Sequence, residues 1–198
     1  MPQVLVIHGG TSFSSYDAYL AFLKSKEPNY EKLTNPIRWK EDLARQLPEF
    51  DVLYPTMPNS ANAVYDEWCI VFQKLLALLD SDAQLVGHSL GAMFLAKYFA
   101  TNQSKVRYGR LLLVAGGYND ESVEDLGSFR VETAKGLENT AREVHLFHSQ
   151  DDPVVPFTEL QKYQRDLPLA TTHVFSNRGH FVDETFPEII ELLKKPLD

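Results

Sequence analysis

One cysteine among 198 residues leaves no partner for an internal disulfide. Cys69 lies in the apolar stretch Trp68 to Leu79 and reads as a buried thiol, since no basic or glycine-rich neighbour would activate it as a nucleophile. Long hydrophobic runs are also missing. Nothing approaches the roughly eighteen consecutive apolar residues that cross a bilayer, and the run Val4 to Ile7 is too short for a secretory signal core. The expectation is a soluble, cytoplasmic protein without membrane insertion. Positive charge is scarce, with 19 Lys and Arg against 27 Asp and Glu and a net charge of -8. Without a concentrated basic patch this balance argues against nucleic acid as a partner. The chain lacks GxGxxG, CxxC and HxxxH, so no dinucleotide, metal or other cofactor is expected.

What is present is an ordinary globular composition, 44% apolar and 23% charged, in a length that suits one domain over residues 1–198. Short runs rich in Val, Ile and Leu alternate with longer stretches whose apolar residues recur three and four apart. The strands expected are Val4 to His8, Val52 to Tyr54, Gln84 to Gly87, Leu111 to Ala115, Val144 to Phe147 and His173 to Phe175. Helices are expected at Ile37 to Gln46, Ala63 to Leu79, Leu90 to Thr101, Thr158 to Asp166 and Pro187 to Leu193. Near-continuous apolar strands suit a mainly parallel sheet of about six strands, covered by helices on both faces. Two stretches fall outside the repeat, Ser12 to Asn35 and Asn119 to Asn139. Both follow strands, where the loops of an open parallel sheet build ligand sites.

The most informative segment is LVGHSLGAMFL, Leu85 to Leu95, in which Gly87-His88-Ser89-Leu90-Gly91 joins an apolar strand to an apolar helix. A nucleophilic serine needs a strained strand-to-helix turn that lifts its hydroxyl over the sheet edge, and Gly87 and Gly91 give the backbone room for it. The helix that follows aims its N-terminus, including the Leu90 N–H, at an oxyanion. A bare GxSxG in another setting would be only a βα turn with a capping serine.

A serine hydroxyl needs an imidazole to take its proton and a carboxylate to orient that imidazole, in the chain order Ser, acid, His for this fold. Among His8, His88, His145, His148, His173 and His180, only the last two come late enough, and His173 is committed to a strand. His180, after Gly179 in a loop past the last strand, is the candidate base. His8 and His88 flank the site, while His145 and His148 read as strand positions. Two aspartates compete for the acid. Asp152 precedes Pro153, Val154 and Val155, which would lock its loop and turn the carboxylate inward, whereas Asp151 would face solvent or cap a turn. For a second oxyanion donor the loop His8-Gly9-Gly10-Thr11 offers the Gly10 N–H first and that of Thr11 second.

Taken together, HGG after the first strand, GHSLG, SQDDPVVP and RGHF resemble the compact α/β-hydrolases related to retinoblastoma-binding protein 9, over nearly the whole chain. The resemblance implies an α/β-hydrolase fold without a large lid domain and Ser89, Asp152 and His180 as the triad of a serine hydrolase. Two features depart from it. The first loop reads HGGTSF where the animal proteins have PGxGG, and the segment Ser12 to Asn35 is longer and carries Phe13, Tyr16, Tyr19, Phe22 and Tyr30. Those aromatics would form a small lid or acyl pocket, or, as aromatics at helical spacing more often do, fill core. The activity expected is esterase-like cleavage of a small-molecule carboxylic ester, thioester or small amide through an acyl-serine. The competing expectations are a peptidase acting on short peptides and a protein-binding module with an idle triad. An LxCxE segment, which would point to a retinoblastoma-type partner, is absent.

Overall fold

A computed structural model of the chain describes residues 1–34, 38–102 and 104–197. Its six strands are β1 (Gln3–Ile7), β2 (Asp51–Leu53), β3 (Gln84–His88), β4 (Tyr108–Val114), β5 (Ala141–Ser149) and β6 (Thr171–Phe175). They form one sheet in the order β2-β1-β3-β4-β5-β6, and every pairing is parallel. The chain first builds outward from β1 to β2 and then returns to β1's other side with β3. The carboxyl ends of β1 and β3 therefore flank the point where strand order reverses, and these ends carry the HGG loop and Ser89.

Alternating side chains explain why the strands look apolar throughout. Leu5, Ile7, Leu85, Leu111, Leu113 and Leu146 enter one core, while Val4, Val6, Val86, Leu112, Val114 and Phe147 enter the other. The first core is covered by α4 (Tyr65–Leu76), α5 (Leu90–Thr101) and α6 (Phe157–Asp166). The second is covered by α3 (Trp39–Gln46) and α7 (Pro187–Lys194). β4 and β5 each begin three residues earlier than the apolar runs suggest. β4 starts at Tyr108 because Arg110 is buried in it, its guanidinium bonded to Glu143, Gln84 and the carbonyls of Leu192, Lys195 and Pro196. A charged residue so fully paired can occupy a core strand without breaking it.

The expected helix from Ile37 begins at Trp39, with Ile37 outside the described residues. The Ala63 to Leu79 helix is shorter at both ends, its C-terminal apolar residues continuing in tight turns closed by Leu78 and Leu79 N–H groups. Cys69 is half-buried beside the core rather than enclosed.

The aromatic insert does not fill core. It folds as α1 (Tyr16–Ser25) and the short α2 (Tyr30–Thr34), and α1 has no buried residue. Phe13 packs instead on Tyr19 and Phe22, with ring centroids 5.4 and 5.2 Å apart, while Tyr16, Tyr30 and Leu33 are exposed. Both faces of the sheet are already occupied by other helices, so this segment packs outside the layers; Asn35 lies outside the described residues. Asn119 to Asn139, by contrast, sends Leu126, Phe129, Val131, Ala134 and Leu137 into the first core. The Glu159 carboxylate, accepting from the N–H groups of Tyr118, Asn119 and Asp120, fixes where that loop starts.

Candidate active site

Ser89 stands between β3 and α5 with φ 56° and ψ -123°, a conformation costly for any residue with a Cβ and therefore imposed by its surroundings. Its N–H is held by the Val114 carbonyl at 2.8 Å. A Cβ at Gly87 would come within 2.6 Å of the Gly91 carbonyl oxygen, and one at Gly91 would strike the carbonyls of Ile7 and His8. Both glycines are thus required by close backbone contact, which lets α5 start tight against the end of β1.

Three side chains from separated segments meet at this turn. The Ser89 hydroxyl lies 2.9 Å from His180 Nε2, and His180 Nδ1 lies 2.9 and 3.1 Å from the two carboxylate oxygens of Asp152. Asp152 has no exposed side-chain surface, and its Oδ1 also accepts from the N–H groups of Val154 and Val155. With the carboxylate accepting at Nδ1, the ring proton sits there and Nε2 is left to accept from the serine hydroxyl. Asp151 is exposed and has a different task. Its Oδ1 accepts from the Ser149 hydroxyl and from the Gly179 N–H, tying the aspartate loop to the histidine loop.

The HGG loop lies against Ser89, since a Cβ built on Gly9 would be 3.5 Å from the serine Oγ. Among the described residues, the N–H groups of Gly10 and Leu90 donate to no protein acceptor. The Thr11 N–H does not share that freedom. It donates to the Ser60 carbonyl at 2.9 Å, which corrects the expectation that Thr11 is an alternative donor.

Of the flanking histidines, His8 accepts the Met57 N–H at Nε2 and donates from Nδ1 to the Gly9 carbonyl, holding the HGG loop. His88 is buried, and its Nε2 donates to the His180 backbone carbonyl at 2.9 Å. Its basicity is held well below that of a free imidazole, first by burial and then by the Lys40 and His180 charges. His145 and His148 lie in β5 and His173 in β6, where His173 stacks on Phe147.

Two spaces open from Ser89. A cleft of about 650 Å³ is lined by His8, Lys40, Tyr54, Thr56, Glu124 and His180. A narrow pocket of about 20 Å³ lies on another side of Ser89, among Leu90, Met93, Leu126, Val155 and Pro156, and does not include His180. Lys40 and Glu124 were not anticipated in the sequence. Glu124 lies in the Asn119 to Asn139 stretch, whose place beside the site followed only from its position after a strand.

A model of the family described as serine hydrolase matches residues 30–195. The chain belongs to the serine hydrolase family. This serine hydrolase is 29% identical over 162 residues to serine hydrolase RBBP9 of Rattus norvegicus, covering 80% of this chain and 84% of the rat protein. Its fold matches the ydeN gene product of B. subtilis with a TM-score of 0.77 at 20% identity, over 98% and 97% of the two chains. It also matches a meta-cleavage product hydrolase from Pseudomonas fluorescens (TM-score 0.63, 16% identity, 98% and 89% covered). A third match is Est1E of Butyrivibrio proteoclasticus with bound ferulic acid (TM-score 0.58, 15% identity, 98% and 87% covered). At these identities the structural matches speak for the α/β-hydrolase fold, and no large lid domain interrupts it in the described residues. No helix among those residues is long and apolar enough to cross a membrane.

Proposed function

We propose that this serine hydrolase cleaves small carboxylic esters through an acyl-serine intermediate, with Ser89 as nucleophile, His180 as general base and Asp152 as the orienting acid. The observation that carries the reading is the continuous hydrogen-bonded line from the Asp152 carboxylate through His180 to the Ser89 hydroxyl. In the first step Nε2 accepts the hydroxyl proton as Oγ attacks the carbonyl carbon. The oxyanion that forms is met by the N–H of Gly10 in the loop after β1 and that of Leu90 at the start of α5. Collapse expels the leaving alcohol, which takes the proton from Nε2. Water then attacks the acyl-serine with His180 again as base, releasing the acid.

The two spaces around Ser89 suit the two halves of such an ester. The leaving oxygen must lie within reach of Nε2, so the alcohol side belongs in the wide cleft that His180 lines. The acyl group then faces the narrow pocket, whose volume is about that of one water-sized probe, and a short acyl chain fits it best. A chain-length series of esters of one alcohol tests this. The kcat/KM should peak at acetyl or propionyl and fall by tenfold or more by octanoyl.

The experiment that tests the reading as a whole is labelling with a fluorophosphonate near neutral pH, with the adduct located by mass spectrometry. Labelling at Ser89 that is lost in Ser89→Ala supports an activated serine. A folded protein that stays unlabelled would refute it and favour a binding role for the same fold.

A further inference from the structure

The start of α3 carries chemistry that the proposed triad does not use. Lys40 is only 8% exposed, and among the described residues no carboxylate lies within 4.0 Å of its ammonium. Among the described residues its one hydrogen bond runs to His88 Nδ1 at 3.3 Å, and it lies 5.1 Å from the centroid of the Trp39 ring. Burial draws the ammonium down to about 8; Glu41 on the same helix opposes that shift and Arg38 adds to it. A buried cation without a counter-ion costs stability, so its presence calls for a task.

That task can be followed atom by atom. With Nδ1 accepting from Lys40, His88 carries its proton on Nε2 and donates it to the carbonyl of His180. The next carbonyls of the same loop are also held from α3. Trp39 Nε1 donates to Phe181 O at 2.9 Å, Arg38 Nη1 to Val182 O at 2.6 Å, and the Trp39 N–H to Asp183 O at 3.1 Å. Phe181 sits at φ 50°, a conformation that a phenylalanine keeps only under constraint.

We propose that Arg38, Trp39 and Lys40 form a positioning clamp for His180, in which Lys40 acts through His88 by holding its ring with Nε2–H toward the His180 carbonyl. The proposal rests on the reading of His180 as the base. Without Lys40, Nδ1 is left as a buried acceptor that has lost its donor, and the imidazole is free to turn so that its Nε2–H no longer meets the His180 carbonyl. The carbonyl then loses its donor, the loop shifts, and His180 Nε2 leaves its 2.9 Å contact with Ser89.

The test compares fluorophosphonate labelling rates across pH for the unmodified protein, Lys40→Met, His88→Gln and the double variant. His88→Gln offers an amide N–H to the His180 carbonyl in place of the ring that Lys40 holds. Lys40→Met should therefore slow labelling about tenfold beside His88, the worth of about one net hydrogen bond, and less than twofold in the His88→Gln background. Trp39→Phe, which keeps the ring but removes the bond to Phe181, should slow labelling severalfold. Nitrogen-15 spectra should show the His88 Nε2–H hydrogen-bonded in the unmodified protein and shifted toward the position of a free N–H in Lys40→Met. Equal slowing in both backgrounds, no slowing, or an unchanged His88 Nε2–H signal overturns the clamp while leaving Ser89 reactive. An unmodified protein that does not label at all refutes the serine reading itself.

Discussion

Asp152→Asn would replace one carboxylate oxygen by an NH2 group and should nearly abolish the reaction. Asp152 accepts from the Val154 and Val155 N–H groups through Oδ1, and an asparagine oxygen can keep both bonds, so the loop should hold its shape. The amide nitrogen is then left against His180 Nδ1. It can only donate, so Nδ1 must become the acceptor and the ring proton must move to Nε2. There it occupies the lone pair that has to take the Ser89 proton. Losing the charged hydrogen bond alone is worth about 1.5–3 kcal/mol, roughly 10- to 150-fold in rate. Forcing the wrong tautomer extends the loss to about 10,000-fold in an equivalent triad. Labelling by fluorophosphonate, followed by intact mass at pH 7–8, would measure it, with Asp151→Asn as the control. Asp151 is exposed, and its amide can still accept from Gly179 and Ser149, so its variant should lose less than about fivefold. An Asp152→Asn rate within tenfold of the unmodified protein, or a larger loss in Asp151→Asn, would refute the assignment of the acid.

Lys40 should show itself in the pH dependence of stability. Its folded value of about 8 lies below its ordinary 10.5, so between those values the unfolded chain holds more proton and stability rises with pH. The whole rise amounts to about 3 kcal/mol, and urea titrations at pH 7 and 10.5 should show it shrink in Lys40→Met. Gly91→Ala sets a methyl against the carbonyls of Ile7 and His8 and should lower stability by at least about 2 kcal/mol or prevent folding, as read by thermal denaturation. Hydrogen exchange followed by mass spectrometry should find α1, with no buried residue, exchanging orders of magnitude faster than β3 and β4. Glu124→Gln removes a carboxylate from the cleft wall and should raise kcat/KM for a negatively charged ester relative to its neutral analogue, by less than about fivefold for a solvent-screened charge.

The sheet was readable because it is buried on both faces, and Val4 to Ile7 or Leu111 to Val114 announce that without reference to anything distant. The elbow was readable for a related reason. Its demands on Gly87, Ser89 and Gly91 are met within one turn of chain, even though the contact that requires Gly91 comes from β1. Asp152 could be preferred over Asp151 from Pro153 and the valines beside it, and those valines do supply N–H groups to its carboxylate. Thr11 could not be judged in this way. Its N–H is taken by Ser60, a partner far along the chain that no local pattern reveals. The aromatic insert misled for a different reason, because helical spacing of Tyr16, Tyr19 and Phe22 shows that a helix has an apolar face but not whether room remains for it on the sheet.

Three departures from ordinary physical preference in this chain converge on one ring. Ser89 and Phe181 both hold positive φ without being glycine, and the first presents the hydroxyl to His180 while the second directly follows it. Lys40 is buried without a carboxylate partner within salt-bridge distance among the described residues, and its bond to His88 leads to the His180 carbonyl. Strain and uncompensated charge each lower stability, and neighbouring structure must offset them. Here the offset comes from the two cores and from the bonds that α3 makes to the loop. A site that needed only the three side chains proposed to react would require none of this. A base that must stay within hydrogen-bond reach of both a serine and an aspartate, on a loop with a glycine before it, requires its backbone to be held as firmly as its ring.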